Sequence, residues 1–365
     1  MLSADGLAKG LKMLIKGPNS ESRSENMTER FKSSLPIPLF RVLKRLAYGF
    51  RKAQTAIGLF ENYIDDLVRY FSWSHTGRED SYTAQSSYAL LKQYHGIEKG
   101  LSLNTPRPGF GQKKVQALLS KIDAYEKNPD HDPTIVKAAV DSLIDYSKFN
   151  AAQDISFHWL NHWLDQRNVE EKNDTEANGG VIRVSRSDIK SCVEGVGEEF
   201  FLSRHSIRNF SGEEVPLEVI EKAADLARKT PSVCNRQGPR VHCFKNAAEA
   251  LKWQSGNAGF GHLASRALVI TSDIQAFSSI GERHQPFIDG GLYAMSIVYA
   301  LHSLGYGSCM LAWDQTRQHN HAARKALNIP DNEVIIMMIA VGSLPDDLLV
   351  ANAFRRPLTS SLFIH

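Results

Sequence analysis

Arg204-His-Ser-Ile-Arg-Asn-Phe210 sets cations and a hydroxyl along a short extended segment, and Thr230-Pro-Ser-Val-Cys-Asn-Arg-Gln237 reads as a turn rich in amides and hydroxyls. Guanidinium groups present planar donors that match phosphate oxygens. Amides in a turn are suited to the polar edge of a heteroaromatic ring. The two stretches together point to an anionic, heteroaromatic ligand. Between them Pro216 opens an amphipathic helix to Arg228, with Val219, Ile220, Ala223, Ala224 and Ala227 on its inner face.

Outward from there the C-terminal half mixes element types. Ser187 caps a helix expected to run to about Leu202, and strands are expected at 241–244, 267–271 (ALVIT) and 333–342 (EVIIMMIAVG). An alanine-rich helix is expected over 247–263, a nearly all-apolar helix over 287–304 and a third over 317–327. A sheet flanked by helices follows, an α+β arrangement.

The N-terminal half reads as all-α. Residues 1–35 are a polar, serine-rich flexible segment with a weakly amphipathic start; 36–165 form a helical domain; 166–185 are an acidic linker; 186–365 are the α+β domain. Two helices are expected within 38–73, one over 82–101, and a further pair at 112–126 and 133–165. His95, Glu98 and Lys99 share one helix face beside the Pro106–Gly111 loop, and read as a helix-end ion pair. His158 and His162 lie one turn apart without a third ligand at metal spacing, so no metal site is expected.

The 365 residues suit two domains, and 42% apolar content supplies their cores. A net charge of +3 leaves no strong nucleic-acid footprint. Cys192, Cys234, Cys243 and Cys309 form no CxxC pair, which suits a reducing cytoplasm. No run reaches the length of a transmembrane helix. G-x-S-x-G, P-loop, H-E-x-x-H and G-x-G-x-x-G signatures are missing where each would act.

Five motifs, in order, carry a resemblance: SRHSIRNF (203–210), KTPSVCNRQGP (229–239), LHSLGYGSCMLAWD (301–314), Ile329-Pro330 ahead of a strand ending VGSLP (341–345), and AFRRPL (353–358). Residues 190–360 resemble the FMN-dependent nitroreductase family. The resemblance implies a nitroreductase-like sheet and a homodimer with shared FMN sites. It implies phosphate contacts from Arg204 and Ser206, with His205 between them, and a cation, Arg208, beside the flavin N1 and C2 carbonyl. Pro231, Ser232, Val233 and Asn235, supported by Gln237, would reach the ring from the other subunit. Asn257 would meet its pyrimidine edge, Gly307–Trp313 would be a loop that brings Ala312 and Trp313 near N5, and Arg355 and Arg356 would close on the phosphate.

On that footing the chain is an FMN-dependent oxidoreductase working by a ping-pong cycle through flavin N5, with NAD(P)H as donor and a specialised small-molecule or biosynthetic substrate. No protein group acts as nucleophile. The alternatives are a flavin-dependent oxidase or dehydrogenase that does not use NAD(P)H, and a non-catalytic dimeric binding protein on the same fold.

Overall fold

The computed structural model describes residues 36–76, 87–103, 105–167, 179–183, 187, 195–351 and 357–365. The chain divides into two compact units, Met1–Arg69 with Gln315–Ala322, and Tyr70–Asp314 with Ala323–His365. No helix among the described residues is long and apolar enough to cross a membrane.

A single helix, α1 (Ile37–Trp73), of which all but the last four residues belong to the first unit, runs for 37 residues where the sequence predicts two. No proline interrupts it after Pro38. Gly49 and Gly58 stand in open space, where each weakens a helix by about 1 kcal/mol without redirecting it. Its polar face engages 315–322: Asn62 Oδ1 accepts the Arg317 N–H at 2.8 Å. Asp65 accepts from Arg317 Nε at 3.1 Å and bonds His321 Nε2 at 2.9 Å. Burial pushes the Asp65 carboxyl up, but the bonds and charges of His321, Arg317 and Arg69 outweigh it and hold the group below its ordinary value.

In the second unit, α2 (Ser87–Leu101), α3 (Gln112–Tyr125), α4 (Pro133–Ala151) and α5 (His158–Asp165) form a helical layer. Asp132 caps α4 by accepting the Thr134 N–H at 2.8 Å, with Pro133 at the first helical position. The sequence predicts one helix over 133–165; it breaks after Ala151. Asp154 turns left-handed (φ 56°) and Ile155 N–H folds back on the Asn150 carbonyl at 3.0 Å. Leu118, Ile122, Leu143, Tyr146 and Leu160 are fully buried in this layer, and Ala276 and Phe277 of the C-terminal half belong to the same core. His95 bonds Glu98 at 3.1 Å, and Glu98 also accepts the Gly180 N–H at 3.0 Å.

After α6 (Glu198–Leu202) and α7 (Leu217–Ala227) come β1 (Pro239–Phe244), α8 (Ala247–Leu251), β2 (Arg266–Asp273), α9 (Gln285–Ser303), β3 (Gly307–Ala312), α10 (Arg317–Ala326) and β4 (Glu333–Gly342). The four strands form an antiparallel sheet in the order β1-β2-β4-β3. Two expectations are corrected. Gly307–Ala312 is an edge strand, not a loop, because its amides pair with Met337–Gly342 of β4. The helix expected over 247–263 stops at Leu251; Gln254 accepts the Gly256 N–H and Asn257 donates back to the Leu251 carbonyl.

Strand alternation sorts the sheet's side chains. Ala267, Val269, Cys309, Leu311, Ile335, Met338 and Ala340 face α8 and the 204–210 segment. Leu268, Ile270, Ile339 and Val341 face α9 and α7. The register slips between Ile270 and Thr271, so β4 carries one extra residue, and Ile336 and Met337 both turn to the α9 side. Gly290 of α9 receives that bulge: a Cβ there would stand 2.5 Å from Ile336 Cγ1. Gly290→Ala should therefore destabilise the protein by about 1–3 kcal/mol despite the better helix former. Combining it with Ile336→Ala should recover part of the loss; a thermal-unfolding double-mutant cycle with no coupling would contradict this packing.

Candidate functional site

The Arg204–Phe210 segment is held by backbone and by the lack of two side chains. Ile207 N–H donates to the Ser308 carbonyl at 2.9 Å and Ser211 N–H to the Ser343 carbonyl at 3.0 Å. Ile207 and Phe210 are buried over the paired glycines Gly307 and Gly342. A Cβ on Gly342 would meet the Phe210 ring at 2.5 Å, and one on Gly307 would meet Ile207 at 3.1 Å. With those two side chains turned in, Arg204, His205 and Ser206 are half-buried and Arg208 is exposed.

The charges of this segment reach the neighbouring titratable groups. His302 bonds the Ser203 hydroxyl at 2.9 Å. Burial pushes its pKa down, and the charges of Arg204 and His205 push it further. Burial raises the Cys309 thiol, with Arg208 close enough to oppose it. Among the described residues neither Arg204 nor Arg208 has a carboxylate partner; Arg208 makes one 3.4 Å contact with the Ser206 carbonyl. The result is a cation cluster with an adjacent hydroxyl and no neutralising acid, a donor set suited to a phosphate.

The Thr230–Gly238 turn is built differently. Cys234, Asn235 and Gln237 all take positive φ (50°, 51° and 53°), a conformation that costs non-glycine residues energy and needs anchoring. Arg236 supplies the anchor. It is fully buried, donates Nε to the Val233 carbonyl at 3.2 Å and grips Glu282 through both terminal nitrogens, NH2 at 2.5 Å. Burial raises Glu282, but hydrogen bonds from Arg236 and the Ser278 N–H and the Arg236 charge hold it below its usual value. Asp289, buried in α9, accepts the Val233 N–H at 3.1 Å. Ser232 Oγ accepts the Gln237 N–H at 2.8 Å, which sets these two candidates to shaping the turn. Pro231 and Gln237 are exposed and Asn235 half-buried, while the Val233 side chain packs on the helical layer.

A third group gathers at the far end of β3. Gln254 donates Nε2 to the Ala312 carbonyl at 2.8 Å and accepts the Gly256 N–H. Asn257 spends its Nδ2 on the Leu251 and Gln254 carbonyls. Ala312 is exposed, and Trp313 is partly buried against the sheet core. Arg355 and Arg356 lie outside the described residues.

The register fixes how these groups lie. Arg204–Phe210 docks where Gly307 faces Gly342, and Ala312 is five residues on, about 16 Å along the same edge strand. The Thr230–Gly238 turn enters β1 at Pro239, opposite Ser272, whereas Val341 at the other end faces Arg266. The turn is thus at the opposite edge and the opposite end of the sheet, roughly 25 Å from the cation cluster by strand geometry. One protomer brings the Arg204 and Ala312 groups to one edge; it does not bring the Asn235 turn to them.

The turn instead borders a cleft of about 740 Å³ shared with the helical layer. Tyr88, Tyr94 and Tyr125 line one side, Asp130 and Asp132 the α3–α4 connection, and Arg228, Gln237 and Arg240 the other side. Tyr88 ties the two together: its hydroxyl donates to Asp273 at 2.7 Å and accepts from Arg240 at 2.8 Å.

Four residues escape the sequence reading: Arg236, Glu282, Asp289 and Gln254. Asp289 does leave a signal, a lone acid in an otherwise apolar helix. Arg236 and Glu282 leave none, since only the fold brings them together.

Residues 202–255 and 248–343 match the nitroreductase family model. The C-terminal half is a nitroreductase-family domain. Its relatives include a candidate NADH dehydrogenase/NAD(P)H nitroreductase of Archaeoglobus fulgidus, 29% identical over 148 residues, 40% of this chain and 83% of that protein. Similar solved structures include an FMN-dependent nitroreductase from Clostridium difficile, at 20% identity over 46% of this chain and 99% of that one, TM-score 0.40. A nitroreductase family protein from Streptococcus pneumoniae gives the same identity and coverage, with a TM-score of 0.41.

Within the nitroreductase domain the Arg236–Glu282 pair makes a pH-dependent prediction. Arg236→Met leaves Glu282 as an unpaired, largely buried charge, and should destabilise the protein by about 3–5 kcal/mol near neutrality. Because Arg236 depresses the Glu282 pKa, the wild-type pair stabilises above the ordinary carboxylate range and weakens as pH falls through the depressed value. The gap between wild type and variant should accordingly narrow on acidification, as read from urea midpoints at a series of pH values.

Proposed function

We propose that this chain is an FMN-dependent oxidoreductase that uses NAD(P)H and acts as a homodimer with shared sites. The observation that carries the reading is the cation cluster of Arg204, His205 and Arg208 beside Ser206, without a carboxylate among the described residues, on a nitroreductase-family domain. The Archaeoglobus relative supports the choice of donor.

The residues fit the cofactor in kind. Arg204 and Ser206 would hold the phosphate dianion by charge-assisted bonds. Arg208 would place a fixed positive charge by the ring, favouring its reduced, anionic form. Ala312 and Trp313 would border the ring further along the same edge, and the Asn235 turn would reach it from a second copy. The separation of roughly 25 Å within one chain supports that last assignment, because one mononucleotide does not touch both corners. When bound, FMN would supply the redox chemistry, taking a hydride from the reduced donor and passing the electron pair to an acceptor in a ping-pong cycle. The protein groups bind, orient and tune; none serves as nucleophile. The tyrosine-lined cleft beside the turn would recognise the acceptor, a specialised small molecule.

Purified protein should carry releasable FMN and be bleached by NADH or NADPH under anaerobic titration. Protein that stays colourless when FMN is added overturns the reading, and flavin that nicotinamides never bleach assigns the chain to an oxidase or to a binding role. Arg204→Ala should weaken FMN binding by about 1.5–3 kcal/mol, roughly ten- to a hundredfold.

A second readout needs no turnover. Since the Arg204 and His205 charges help depress His302, FMN or inorganic phosphate at the cluster should raise the His302 titration midpoint by NMR. An unchanged midpoint would count against a phosphate there.

A further inference from the structure

From Leu39 to Leu67 every position of an alternating four-three spacing along α1 is apolar. That is a heptad seam, the pattern of a helix packed against another helix. Yet among the described residues nothing buries the seam. Leu46 is 65% exposed, Phe60 67% and Leu67 61%, and of the whole helix only Ala47 and Arg69 are buried. Within its own unit α1 uses the other face, through Asn62 and Asp65 to Arg317 and His321.

We propose that the seam pairs with α1 of a second copy of this chain, as an antiparallel two-helix coiled coil centred on Thr55. Charge chooses the direction. Arg41, Lys44, Arg45, Arg51 and Lys52 occupy the first part of α1, with no acid before Glu61; Glu61, Asp65 and Asp66 occupy the last part, with Arg69. Parallel pairing sets five cations beside five cations, whereas antiparallel pairing sets the basic half beside the acidic half. Asp65 already serves Arg317 and His321, so Glu61 and Asp66 carry the complementarity. Lys44 falls level with Asp66, but both stand outside the seam, so the attraction is between the basic and acidic helix ends as wholes rather than between a contact pair.

Side-chain size agrees. A two-fold axis at Thr55 layers Leu43 on Leu67, Leu46 on Ile64, Phe50 on Phe60 and Ala53 on Ile57 of the second copy, so the small residue meets a branched one. Parallel pairing would set Ala53 on Ala53 and open a gap. An anionic membrane suits the seam less well, because the acidic half of α1 would be repelled by it.

The pairing needs a dimer, as the shared-site reading does, but no flavin, so the two are tested apart. Full-length protein with both Leu46→Cys and Ile64→Cys should form a covalent dimer of twice the mass under mild oxidation, while either substitution alone and the wild type should not. Phe50→Cys with Phe60→Cys repeats the test one layer inward, in case the first variant misfolds. Cross-linking by a single substitution means parallel pairing and overturns the proposal, as does failure of both double variants. Vesicles containing phosphatidylserine that sediment the wild type and abolish cross-linking would overturn it in favour of a membrane surface. Light scattering separates the readings: a wild-type monomer sinks both, whereas a dimer without cross-links sinks only this one.

Discussion

The absence of a β-carbon at Gly307 and Gly342 is the constraint on which the rest of the nitroreductase domain depends. The two residues face each other across β3 and β4, and Ile207 and Phe210 occupy the space that side chains would take. That contact lays the 204–210 segment over the sheet and fixes which of its residues turn inward. Arg204, Ser206 and Arg208 are left outside as a consequence of packing, not through bonds of their own. A cation cluster held by an apolar floor keeps its donors available, because few are used in holding it in place.

The opposite corner of the sheet follows the reverse logic. The Thr230–Gly238 turn has three non-glycine residues at positive φ, a local cost that only specific bonds offset. Arg236, Glu282 and Asp289 provide them from below. Buried ion pairs contribute little net stability against an apolar alternative, but they define geometry, and a single unpaired member is expensive. The turn is therefore rigid in one shape.

Much of this was legible in the sequence, for identifiable reasons. Glu333–Gly342 combines β-branched and apolar residues with glycine at its end, and it forms the strand expected. The 204–210 segment was readable because its polar residues stand out in the chain, and its only two apolar residues, Ile207 and Phe210, are the two that are buried. β3 was missed because the resemblance implied a loop there and Gly307, Ser308 and Cys309 have weak strand preference, which pairing with β4 overrides. The break in 133–165 rests on backbone, the left-handed Asp154 and the Ile155 N–H returning to the Asn150 carbonyl, which periodicity does not register. α1 misled in the other direction: its apolar positions read as two successive helical runs, and nothing in the chain divides them. The diagonal placement of the two site halves was implied only by family resemblance, because it depends on strand order, which no local pattern encodes.

Tyr88 has a consequence for the architecture as a whole of the second unit. Its hydroxyl is shared between Asp273 at the end of β2 and Arg240 at the start of β1, and Lys92 one turn on reaches Ser278. Phe277 is completed by side chains of the helical layer. The helices at 87–165 are thus not a lid set on a finished sheet. Stripping them away would cost Asp273 Oδ2 its Tyr88 donor and leave Phe277 in water, so this layer and the sheet should melt as one cooperative body. Evolution could reshape the cleft between them only while keeping that shared core, which restricts inherited change to the cleft's rim.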